Sequence, residues 1–272
     1  MAIDVKRFLV QPGVPFKLKA IDANDRGLAG EGDRTTIEAL CDSQREHLEE
    51  LQYRLYAEGQ RALLIVLLAA DTGGKDSTVR HVFADVNPQG VSVVSFRAPS
   101  EDERAHDFLW RIHAQVPKRG WIGIFNRSHY EDVTVPWVHE NIDDDELERR
   151  YCHIREFEEL LEDAGTHVLK FHLRISREEQ AERLNERLDN PHKHWKFDPA
   201  DLQDRRLWDR YQEAFERAIN ATSTERSPWY VVPANRKWFR NAVVTEVIVR
   251  QLEDMNPQFP PPAPNLDQYE VE

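Results

Sequence analysis

Residues 62–83 read ALLIVLLAADTGGKDSTVRHVF, and the fold follows from them. The unbroken apolar run from Ala62 to Ala70 is the pattern of a strand buried on both faces, because alternation is needed only where one face meets water. It stops at Asp71-Thr72-Gly73-Gly74. Two consecutive residues without side chains let the backbone N–H groups turn inward into an anion-sized nest. Lys75 stands at its rim, and from Asp76 onward Val79, Val82 and Phe83 form one apolar stripe of a helix. The turn therefore lies at the positive end of a helix dipole. Strand, glycine turn, lysine and helix together make a phosphate cradle.

The common phosphate loop, G-x-x-x-x-G-K-[ST], is matched here in spacing by Ala69, Gly74, Lys75 and Asp76, with departures at both ends. Asp76 fills the slot where a hydroxyl usually meets magnesium, so Ser77, Thr78 or Asp71 must supply that ligand if a metal binds. A glycine-containing strand-to-helix turn without a ligand also fits this stretch, and the rest of the chain has to decide.

Outward from the cradle, residues 1–32 carry Pro12, Gly13, Pro15, Gly27, Gly30 and Gly32 with little periodicity, an irregular arm. Its Lys6, Arg7, Lys17 and Lys19 either fold over the site or belong to a solvated tail. Ile37, Leu40, Leu48, Leu51 and Leu55 recur at helical spacing, so the segment from Thr35 to Ala57 is expected to form a long amphipathic helix closing at Gly59. Val91–Phe96, Trp121–Phe125, His167–Ile175 and Trp229–Val232 read as four further strands. Helices are expected over Glu101–Gln115, Leu147–Ala164 and Asn235–Leu252 between and after them.

The polar burst Asn126-Arg127-Ser128-His129-Tyr130-Glu131-Asp132 sits at the carboxyl end of the third strand. In open α/β sheets ligands bind outside those ends, so it should face the same crevice as the cradle. Residues 176–210, broken by Asn190-Pro191 and Asp198-Pro199, carry Arg183, Arg187, Lys193, Lys196, Arg205 and Arg206. This reads as a lid over phosphate groups, against an ordinary solvated helix face paired to Glu178, Glu182 and Glu186. Trp110, Trp195, Trp208 and Tyr211 fall at helical spacing and are assigned to the core. The histidines are dispersed, and only His129 is placed to act.

Alternating strands and helices give an α/β, three-layer αβα phosphate-loop kinase fold: a five-stranded parallel sheet with a helical lid. Residues 33–254 would form the kinase domain, with the lid at about 176–210, and residues 255–272 a Pro-rich tail. The net charge of −13 disfavours nonspecific nucleic-acid binding and leaves local anion sites open. No apolar run approaches the roughly 20 residues that cross a bilayer, so no membrane partner is expected. Two cysteines, Cys41 and Cys152, and an N-terminus without a signal-type apolar core point to the cytoplasm.

Several long motifs in one order, covering about residues 5–255, resemble the polyphosphate kinase 2 family. Beside the cradle they are GIFNRSHYEDV (Gly123–Val133), RYCHIREFE (Arg150–Glu158), ISREEQAERLNERLDNPHKHWKFDPADLQDRRLWDRYQEAF (Ile175–Phe215) and SPWYVVPANRKWFRN (Ser227–Asn241). The GGKD and NRSHYEDV forms are similar to the branch that phosphorylates nucleoside mono- and diphosphates from inorganic polyphosphate. The resemblance puts Asp71 and Lys75 on family positions. Where many relatives carry an Arg a few residues after EDV, this chain has Val135-Pro136-Trp137.

The resemblance implies a reversible, magnesium-dependent kinase, with manganese as a substitute, acting on polyphosphate and on AMP or ADP, and a homo-oligomer. Lys75 with the backbone of Gly73 and Gly74 would hold the transferring phosphate, and Arg127 would brace it. Asp71 with Glu131 or Asp132 would hold the metal, directly or through water. Arg183 and Arg187 would close on the phosphates, and His129 and Tyr130 would contact the nucleotide. The competing readings are an ATP-dependent nucleoside monophosphate kinase of the same fold and a non-catalytic polyphosphate-binding protein.

Overall fold

The structure is a computed structural model that describes residues 3–27, 33–269 and 271; Gly30 and Gly32 of the expected arm lie outside the described residues. Five parallel strands form one sheet in the order β2-β3-β1-β4-β5. They are β1 (Ala62–Leu68), β2 (Val91–Val94), β3 (Ile122–Phe125), β4 (Thr166–Arg174) and β5 (Trp229–Pro233). β1 is central, paired to β3 from Leu63↔Ile122 to Val66↔Phe125 and to β4 from Ala62↔Thr166 to Leu68↔His172.

The apolar run of β1 lacks alternation because both of its faces are covered. Leu63, Ile65 and Leu67 enter one core with α1 (Arg34–Glu58), α2 (Lys75–Val82) and α10 (Lys237–Met255). Leu64, Val66 and Leu68 enter the other with α5 (Glu131–Val138), α6 (Asp144–Asp163) and α9 (Trp208–Thr222). All seven residues of β1 are buried, and each branched side chain contributes roughly 1.5–3 kcal/mol of apolar burial. These are the three layers read from the alternation of strands and helices.

Three local features differ from the sequence reading. The helix expected over Glu101–Gln115 is two short pieces, α3 (Glu101–Arg104) and α4 (Trp110–His113). Ser100 and Glu103 form a capping box on α3, and Asp107 accepts from the Leu109 N–H at 2.9 Å, restarting the chain. The polar burst continues into α5 despite Pro136 in its interior. Proline has no N–H for the carbonyl four residues back, and the Arg150 guanidinium donates to that freed Asp132 carbonyl at 2.8 Å. Trp110 and Trp195, assigned to the core, are 45% and 79% exposed, whereas Trp208 is buried.

Residues 3–27 of the N-terminal arm are packed onto the domain. Val5, Phe8, Val10 and Leu18 are buried, Leu9 bridges Tyr230 in antiparallel sense, and the Val10 N–H donates to the Trp229 carbonyl at 2.8 Å. It therefore covers the outer edge of β5, a row of backbone groups that would otherwise be open to another strand. Of its cations, Lys17 pairs with Glu216 and Arg7 with Asp25.

The segment expected as a lid comprises α7 (Arg177–Asp189), a 3-10 turn at Pro191–Lys196 and α8 (Pro199–Arg206), leading into α9. Asn190 and Asp198 cap the two restarts, each followed by a proline at the first position, where a missing N–H costs nothing. Among the described residues no helix is long and apolar enough to cross a membrane.

Candidate active site

The cradle is the chain between the end of β1 and the start of α2. Gly73 donates its N–H to the Ala70 carbonyl at 2.9 Å, closing a tight turn. A Cβ on Gly73 would stand 2.5 Å from the Ala69 Cβ and 2.8 Å from the Ala70 oxygen. Gly74 has φ +99°, and a Cβ there would fall 2.2 Å from Nη1 of Arg240. One glycine is required by space and the other by conformation and space. The Lys75 ammonium donates to the Ala69 carbonyl at 3.0 Å and lies 3.9 Å from Oε1 of Glu131.

Ser77 and Thr78, the alternative metal hydroxyls, both donate to the Gly74 carbonyl, at 2.9 and 3.0 Å, and so stabilise the first turn of α2. Asp76 accepts from Asn126 at 2.6 Å, tying α2 to the end of β3. The sequence reading brings the next residue, Arg127, to the crevice. It is exposed, makes no hydrogen bond or ion pair among the described residues, and has φ +150°. Such a backbone costs on the order of 1–3 kcal/mol for a residue with a Cβ, and strain of this kind gathers at functional sites.

Beneath Arg127 the reading needs correction. His129 and Tyr130, expected at the nucleotide, have fully buried side chains inside the sheet–helix layer. The Tyr130 hydroxyl donates to Glu158 at 2.8 Å, and Lys170 of β4 donates to Glu158 and to the Thr222 carbonyl at 2.5 and 2.7 Å. His129 lies 3.3 Å from Glu158. Burial alone would raise the Glu158 carboxyl, but Lys170 and His129 outweigh it and hold it below its usual range; burial lowers Lys170 despite that partner. This network fixes the floor of the loop. Its visible signal was Lys170, a charge inside the apolar strand VLKFHL.

The three candidate metal carboxylates are in different states. Asp132 is held by both oxygens on Arg111, at 2.7 and 2.8 Å, and Arg111 was not singled out in the sequence. Burial still raises the Asp132 carboxyl against Arg111. Glu131 accepts from the Ser128 N–H through Oε2 at 2.6 Å, while its Oε1 is buried with no hydrogen bond and faces Lys75. Asp71 is half-buried at the mouth of the cradle. Glu131 and Asp71 fit a hard cation that takes oxygen ligands; Asp132, already engaged, does not. Among the described residues no group of three or more His, Cys, Asp or Glu converges on one point.

α7 is docked directly on the cradle. Gln180 donates to the Asp71 carbonyl at 3.2 Å and Arg183 to the Thr72 carbonyl at 2.9 Å. Arg183 also donates to Glu179 and to the Ala234 carbonyl, at 2.7 and 2.6 Å, so it braces the loop through main-chain oxygens. Arg187 instead holds α7 to α8 through Asp201 at 2.7 Å and the Lys196 carbonyl at 2.9 Å. Burial and the nearby Asp71 charge push the Asp201 carboxyl up to about 6, against the pull of Arg187. Asp201 and Arg240 lay outside the sequence reading. Arg240 had one signal, a cation on a helix with no acid three or four positions away on either side.

A parallel sheet with a glycine turn and lysine after its central strand, and an arginine-bearing helix docked on that turn, defines a kinase of the phosphate-loop type. The profile of the family described as Polyphosphate kinase 2 matches residues 32–260, and the chain belongs to that family. It is 52% identical to the AMP/ADP-polyphosphate phosphotransferase of Meiothermus ruber over 268 residues, 98% of this chain and 100% of the relative. It is 42% identical to the ADP-polyphosphate phosphotransferase of Rhodopseudomonas palustris, covering 83% and 82% of the two chains. The crystal structure of polyphosphate kinase 2 from Arthrobacter aurescens superposes with a TM-score of 0.91 at 40% identity, over 99% of this chain and 96% of that one.

Proposed function

We infer that this protein transfers the terminal phosphoryl group of inorganic polyphosphate to the terminal phosphate of a nucleoside mono- or diphosphate, reversibly. The observation that carries the reading is the Gly73-Gly74 nest with Lys75 at its rim, set beside the strained, exposed Arg127 at the end of the adjacent strand. Relatives named as AMP/ADP- and ADP-polyphosphate phosphotransferases support the two acceptors.

Both reactants are anions, and two unit charges brought to about 4 Å repel by roughly 4 kcal/mol per pair at an effective dielectric near 20. Neutralising that repulsion and aligning the reactants is most of what the protein must do. Lys75 and the backbone N–H of Gly74 hold the phosphoryl group, in a turn that the Gly73 N–H closes on the Ala70 carbonyl, and Arg127 spreads a second positive charge over its oxygens. An oxygen of the acceptor phosphate forms the new P–O bond as the bridging P–O bond of the polymer breaks, leaving a chain one phosphate shorter as the oxyanion. That attacking oxygen is already anionic, so no general base is needed.

Magnesium, or manganese in its place, would be held by Asp71 and Glu131 and would supply further charge neutralisation. α7 and α8 act as the lid that excludes water, with Arg183 fixing the loop and Arg187 fixing the lid to itself. Homo-oligomeric assembly and a cytoplasmic setting belong to the same reading; sedimentation velocity tests the first, and fractionation of cells the second.

The deciding experiment incubates the protein with magnesium, polyphosphate and AMP or ADP, with no ATP added. Formation of ADP or ATP, abolished by chelation of the metal, is the expected result. Product only when ATP is the donor would refute the reading in favour of an ATP-dependent kinase, and polyphosphate binding without product would refute it in favour of a binding protein.

A further inference from the structure

Behind the cradle lies a buried cation without a counter-ion among the described residues. Arg240, in the first turn of α10, is 1% exposed. Its Nε and Nη2 both donate to Oδ1 of Asn241, at 3.0 and 2.6 Å. Its Nη1 is buried with no hydrogen-bond partner and lies 2.2 Å from where a Gly74 Cβ would be, so it packs against the bare Cα of the cradle glycine. Nη1 of Arg183 comes within 3.4 Å of the same point. Arg183 is compensated by Glu179, whereas no carboxylate pairs with Arg240 among the described residues. Burial and the Arg183 charge lower Arg240 to about 9, which leaves it cationic at neutral pH.

An unpaired buried charge is costly, and neighbouring like charge makes it more so. The cost is recovered if an anion arrives close by. Gly74 separates Nη1 from the nest, and with no side chain there the separation is one backbone thickness in a medium that screens poorly. We propose that Arg240 is the built-in counter-charge of the cradle, a positioning residue behind Gly74 whose positive charge is neutralised by the condensed phosphate that the nest receives. This rests on the reading that the nest holds the donor phosphate. It also gives Gly74 a second reason to be glycine, since any side chain would displace the guanidinium.

The test is calorimetric titration of magnesium tripolyphosphate into wild-type protein and the variants Arg240→Met, Arg240→Gln, Arg240→Lys and Lys75→Ala, with melting curves of each unliganded protein. Removing the charge should leave the unliganded melting temperature equal or raised while weakening tripolyphosphate binding by about 10- to 100-fold in both neutral variants. Arg240→Lys should stay within a few-fold of wild type, and KM for polyphosphate should rise more than kcat falls. Wild-type affinity in either neutral variant would overturn the inference. So would neutral variants that fail to fold, because the unliganded protein is required to be relieved by losing the charge. If Lys75→Ala binds tripolyphosphate as wild type does, the nest reading itself fails; if only the Arg240 variants do, the nest reading stands.

Discussion

Gly73→Ala is the sharpest steric test of the cradle. Gly73 is not in a left-handed conformation, so alanine meets no φ penalty there and the effect is one of space alone. The new methyl would lie 2.5 Å from the Ala69 Cβ and 2.8 Å from the Ala70 carbonyl oxygen, where carbon contacts need about 3.5–4.0 Å. Neither neighbour can rotate away, because one is a Cβ fixed at the end of β1 and the other is backbone. The loop must move by roughly 1 Å, and the 2.9 Å bond from the Gly73 N–H to that same carbonyl must stretch. A misplacement of that size costs on the order of 10²-fold in rate, and overpacking costs about 1–3 kcal/mol of stability. Initial rates of ATP formation from ADP and polyphosphate, with no ATP added, should fall by about two orders of magnitude, and the melting temperature by several degrees. Turnover within threefold of wild type at an unchanged melting temperature would show that Gly73 does not shape the site.

Arg127→Ala should lower kcat by on the order of 10³ with little change in melting temperature, and Arg127→Gly should lose the same activity yet gain about 1 kcal/mol of stability by releasing the backbone strain; urea titrations read the second effect. Glu158→Gln leaves Lys170 buried without its partner and should cost about 3–5 kcal/mol, whereas Glu158→Gln combined with Lys170→Met should recover a large part of that, measured by chemical denaturation. Asp201 has a folded pKa of about 6 against an ordinary value of 3.8, so its contribution to stability is fully present below about pH 4 and lost as pH rises through about 6. Asp201→Asn, which cannot ionise, should therefore melt above wild type at about pH 8, with the gap narrowing toward pH 5. A gap that widens as pH falls would contradict the assigned cause.

The sequence by itself determined the layers and the cradle. The central strands β1 and β3 were legible because they are buried on both faces and cannot hide their continuous apolar runs, and the cradle because two adjacent glycines before a lysine have few structural uses. The Pro-marked restarts of the segment after β4 were equally plain, since proline acts locally. Only the tertiary structure decided which polar groups meet. His129 and Tyr130 share a loop with Arg127, yet their side chains enter the core while Arg127 stays at the surface, because Glu158 and Lys170 arrive from α6 and β4 to receive them. Both oxygens of Asp132 are taken by Arg111 while Oε1 of Glu131 is left without a hydrogen bond, a difference set by a helix packed from 21 positions away. Arg240 reaches Gly74 from 166 positions further along the chain, and no periodicity or spacing records such a contact. Local patterns fix what a backbone segment can become, while the fate of a charge depends on which distant elements supply its partner or withhold one.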